Sequence, residues 1–118
     1  MHVGTVVMSV YDMRRAAAFW TAALDYVPRD GEVDARFTVL VPASGPGVGL
    51  SLQASTSVPD DVPHVHLDLY SDEQAAEVER LVGLGAVRVD WAYPDDPDFV
   101  VLADPEGNRF CIIDTTHG

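Results

Sequence analysis

Pro63-His64-Val65-His66-Leu67-Asp68-Leu69-Tyr70 is the stretch on which the reading of the chain turns. Polar and apolar side chains alternate along it, and strand side chains repeat every two residues. His66, Asp68 and Tyr70 therefore share one face of a strand, with Val65, Leu67 and Leu69 on the other. The apolar face needs a helix or a sheet to cover it. The opposite face sets an imidazole, a carboxylate and a phenol in a row, which an ordinary core does not require. Ser71-Asp72-Glu73-Gln74 follows directly. Ser71 reads as a helix cap, and Gln74 stands where it would close a capping box.

Working outward, residues 72–84 read as a helix with Ala75, Val78, Leu81 and Val82 inward, and Gly85 stands where the left-handed terminal residue belongs. Val87 and Val89 begin a strand, and residues 99–103 and 109–113 give two more. The turn between these two is Asp104-Pro105-Glu106-Gly107-Asn108, with Pro preset for its second position and Gly free to take a positive φ. The first half carries the same pattern. Residues 3–10 read as a strand with Val6, Met8 and Val10 on one face. Asp12 is a good N-cap for a helix over 13–24, whose buried stripe is Met13, Ala17, Trp20 and Leu24. Arg14 and Arg15 lie outside that stripe. Residues 37–41 and 50–53 are strands, and residues 55–63 have no periodicity and read as a connector.

The halves superpose. Phe37-Thr38-Val39-Leu40 matches Phe99-Val100-Val101-Leu102 at an offset of 62, which Gly45 and Gly107 keep. The first strands match at 61, setting Thr5 on His66. Each half is strand-helix-strand-strand-strand, with the second strand weak in the first half. Such a repeat is one α+β domain over residues 1–118, with module one at about 1–54, the connector at 55–63 and module two at about 64–115. Helices cover one sheet face and leave the other concave.

Bulk properties narrow the function. A chain of 118 residues can build a core without staples. Nineteen acidic residues against seven basic ones give a net charge of −12, and every basic residue is Arg. Duplex nucleic acid and anionic membranes both need a basic footprint, so neither is expected as a partner. No apolar run approaches the roughly 18 residues of a membrane span, and no leader is read ahead of the first strand. Cys111 is the single cysteine and cannot close an intrachain disulfide, which points to a reducing cytoplasm.

Phe19-Trp20, His66-Leu67-Asp68-Leu69, Gly85-Ala86 and the run from Asp104 to Cys111 together resemble the glyoxalase-like branch of the vicinal oxygen chelate superfamily. Bleomycin-resistance proteins belong to the same superfamily. The resemblance covers essentially the whole chain. It implies two paired βαβββ modules forming an open, eight-stranded, cup-shaped sheet, in a homodimer. Metal-using members place one ligand on the first and one on the last strand of each module. Those positions fall on Thr5, Ser51, His66 and Cys111, with Gln53 as a substitute for Ser51. Only His66 is a strong ligand of the type that hard and borderline metals favour. The metal site is therefore read as lost, and neither metal nor other cofactor is expected.

His66 and Asp68 remain as a candidate general base and its orienter, with Cβ atoms roughly 6.5–7 Å apart. The plainer reading is that Asp68 satisfies buried groups and His66 is left over from an ancestral metal site. Arg109 shares a face with Cys111 and could either pair with Asp68, the favoured alternative, or bind an anion. Cys111 reads as a small buried hydrophobe. Trp91 and Tyr93 could wall a site for an apolar or aromatic ligand, and Tyr70 closes the polar row at its rim. The expected function is a metal-independent binder of a small hydrophobic or aromatic compound. The alternative is a lyase, isomerase or dioxygenase-type enzyme built on His66, with an atypical metal or with Asp68 as acid–base pair.

Overall fold

The computed structural model describes residues 3–55 and 65–117. His2, His64 and nearly all of the 55–63 connector lie outside the described residues. The chain divides into two compact units, Met1–Asp60 and Asp61–Gly118.

In the first unit, β1 (Thr5–Val10) leads into α1 (Met13–Leu24), followed by β2 (Tyr26–Pro28), β3 (Phe37–Pro42) and β4 (Gly49–Ala54). The sheet order is β1-β4-β3-β2, so the opening strand pairs with the closing one, in parallel. The second unit repeats this with β5 (Leu67–Ser71), α2 (Gln74–Leu84), β6 (Val87–Arg88), β7 (Phe99–Ala103) and β8 (Arg109–Asp114), in the order β5-β8-β7-β6. This is the twofold βαβββ pattern expected from the alternation and the repeat. No helix among the described residues is long and apolar enough to cross a membrane.

Burial follows the two periods. Asp12 caps α1 by accepting from the Arg15 amide, and Met13, Ala16, Ala17, Phe19, Trp20 and Ala23 form the buried stripe. Leu24 is only half-buried. Met8, Val10, Leu50 and Leu52 bury the matching face of the sheet. In the second unit Val78 and Leu81 are buried on α2 against a sheet face carrying Leu102, Phe110 and Ile112. Ala75 and Val82, expected inward, are exposed, so the apolar stripe of α2 is narrower than its sequence indicates.

The start of α2 also departs from expectation. Its cap position is Glu73, which makes no capping bond through its side chain, and Ser71 accepts from the Glu73 amide at the end of β5. Gln74 does not reach back to close a box. Its side-chain amide donates to the carbonyls of Ile112 at 2.8 Å and Asp98 at 3.1 Å. Two carbonyls, one in β8 and one just ahead of β7, outcompete one capping amide, and the glutamine ties the helix to its sheet instead. At the other end Gly85 takes φ +120° as expected, and its amide donates to Leu81 and Val82.

Candidate functional site

The polar face of the second sheet is set by two registers. β5 pairs with β8 in parallel, placing Asp68 beside Cys111 and Tyr70 beside Ile113. β7 pairs with β8 antiparallel, placing Val101 beside Cys111 and Ala103 beside Arg109. Asp68, Cys111 and Arg109 therefore rise from one side of the sheet, and the leucines and isoleucine between them point to α2.

His66 and Asp68 turn toward each other. The imidazole Nε2 donates to Asp68 Oδ1 at 2.8 Å, and both side chains are about half exposed, at 51% and 48%. With Nε2 holding the hydrogen for a carboxylate, the neutral ring leaves Nδ1 as an acceptor. Cys111 completes a group of three whose candidate ligand atoms lie within 4.8 Å of one another. Burial, and then the Asp68 charge, push the Cys111 thiol above its ordinary pKa. Less of the thiol is therefore ionised at a given pH than in an exposed cysteine.

The expected pairing of Arg109 with Asp68 does not form. Asp68 is taken by His66, and Arg109 makes no ion pair among the described residues. Its guanidinium carbon instead lies 5.7 Å from the ring centre of Trp91. Tyr93 sits 5.3 Å from Phe99, ring centre to ring centre, and its hydroxyl accepts from the Val101 amide at 2.8 Å. The shortness of β6 explains this contact. Beyond Arg88 only the Val89 amide continues the ladder, donating to the Val101 carbonyl, and the tyrosine hydroxyl serves the amide left over. Tyr93, Phe99, Val89 and Val101 help line a shallow hollow of about 290 Å³. Hollows of about 410 and 390 Å³ lie in the first unit around Arg14. Tyr70, at 75% exposure, points to solvent.

The remaining candidates, Thr5, Ser51 and Gln53, belong to the first unit. Ser51 is fully buried, and its hydroxyl shares a 2.7 Å hydrogen bond with that of Thr5. Gln53 is exposed two residues further along β4. Two neutral hydroxyls satisfied by each other are not a donor set for a hard or borderline divalent ion. At the two first-unit positions to which the resemblance carries ligands, Thr5 and Ser51 offer only this hydroxyl pair.

The glyoxalase-like domain family model matches residues 5–113. The chain belongs to that family. Solved structures with the glyoxalase-like fold superpose over nearly its whole length. A glyoxalase/bleomycin resistance protein/dioxygenase family enzyme from Burkholderia phytofirmans PsJN is similar at TM-score 0.71 and 18% identity, covering 95% of this chain and 97% of that one. The trypanothione-dependent glyoxalase I of Leishmania major matches at TM-score 0.72 and 17% identity, covering 98% and 88%. TnmS3, an antibiotic binding protein from Streptomyces sp. CB03234, matches at TM-score 0.68 and 19% identity, covering 96% and 94%. At these identities the likeness concerns the glyoxalase-like fold alone. None of the curated proteins matches the chain.

Proposed function

We propose that this chain is a small-molecule-binding member of the glyoxalase-like family, taking a hydrophobic or aromatic compound on the polar face of its second sheet without a metal. One observation carries the reading. Trp91 and Tyr93, in the segment between β6 and β7, and Phe99 supply aromatic surface to a sheet whose one face carries a row of polar groups, Asp68, Cys111 and Arg109. The hydroxyl pair at Thr5 and Ser51 supports the absence of a metal requirement. TnmS3, a protein with this fold, is an antibiotic binding protein. A cytoplasmic home and a homodimer belong to the same proposal, and light scattering tests the dimer.

A screen of aromatic compounds against the thermal midpoint tests the function, because a ligand of the native state must raise that midpoint by mass action. Midpoints unmoved by every compound at millimolar concentration would sink the reading.

The 2.8 Å contact between His66 and Asp68 favours a second reading, acid–base catalysis by that pair in a lyase or isomerase. Metal content separates the schemes further. Protein purified without chelator or histidine tag should carry no stoichiometric metal. One ion per chain would instead bring forward the group formed by His66, Asp68 and Cys111, and with it an enzyme.

A further inference from the structure

Arg109 is a half-buried cation in a chain with nineteen acidic residues, yet no carboxylate meets it among the described residues. Arg15, Arg29, Arg80 and Arg88 each face an acid, and Arg88, the base nearest along the sheet, is held by Glu79. The acid best placed for Arg109, on the neighbouring strand, is Asp68, and it is occupied by His66. What Arg109 does touch is the flat face of Trp91. A guanidinium held over a ring by cation–π attraction keeps N–H groups to offer a planar, bidentate acceptor.

We infer that the ligand of this face is a planar aromatic carboxylate, its ring against the Trp91 side of the sheet and its carboxylate forked on Arg109. The inference rests on the binding function proposed above and names its ligand class. Charge count selects a carboxylate over a phosphate or sulfate. A dianion calls for a second base, and the chain has no lysine and no second arginine on this face. Asp68, on the same face, adds repulsion that grows with ligand charge.

Naphthalene-2-carboxylate and its neutral carboxamide, titrated calorimetrically into the wild-type chain, Arg109→Gln and Arg109→Lys, test the assignment. The acid should bind wild type about tenfold or more tighter than the amide. Arg109→Gln should erase that preference, so that acid and amide bind with equal affinity. Arg109→Lys, which keeps the charge but loses the fork, should fall between. Equal affinities in wild type, or a preference that survives in Arg109→Gln, would overturn the carboxylate assignment and leave the binding function standing. Binding of neither compound would overturn the assignment, and the broader thermal screen then decides the function separately.

Discussion

Asp68 faces two partners, accepting from His66 while holding a negative charge near the Cys111 thiol. Desolvation is the larger cause of the raised thiol pKa and the Asp68 charge the smaller, so at a given pH less thiolate is present than in an exposed cysteine. Asp68→Asn removes the charge and lowers the pKa, so iodoacetamide should alkylate Cys111 several-fold faster at pH 8. An unchanged rate would detach the carboxylate from the thiol. His66→Ala tests the other contact. The half-exposed imidazole supports little packing, so the unfolding midpoint should stay within a few degrees while affinity for an aromatic ligand falls. Loss of the fold would show that His66 is structural.

Elements differ in how much of them could be read ahead of the structure. The capping of α1 by Asp12, the alternation of β1 and β5 and the tight turn at 104–108 were legible because each depends on residues near in sequence. The contact of His66 with Asp68 was half legible: their shared face was plain, their approach was not. The neighbourhood of Cys111 was hidden, since it depends on a parallel register between strands some forty residues apart. So was the Trp91 face under Arg109, where the expected salt bridge failed because a nearer histidine took the acid. Gln74 misled because its spacing fits a capping box while its amide finds two better acceptors. Two substitutions test the elements that were read well. Trp20 is completely buried in α1, and Trp20→Ala should cost about 3–5 kcal/mol in urea unfolding. A loss under half a kcal/mol would place the helix face wrongly. Asp104 is 2% exposed, and its Oδ1 accepts from the amides of Glu106 and Asn108. Asp104→Ala strands both donors and should cost about 2–4 kcal/mol, with Asp104→Asn recovering much of it. Equal losses in the two variants would mean that the turn depends on the charge.

For the molecule as a whole, the net charge of −12 sets the long-range field. Duplex DNA at physiological salt should show no retardation at micromolar protein, and a salt-sensitive shift would contradict the electrostatic argument. The strand order has a consequence of another kind. In each unit the opening strand has, among the described residues, a single ladder neighbour, and that neighbour is the unit's last strand. During synthesis β5 therefore leaves the ribosome without its partner. At about 5–20 residues per second it waits roughly 2–8 s for β8 to be translated. Through that interval its backbone is an open template for any other extended chain in reach. The polar row of His66, Asp68 and Tyr70 gives the waiting strand one hydrated, charged side, the feature by which natural edge strands resist pairing with strangers. The same side chains thus guard the nascent chain before its sheet is complete.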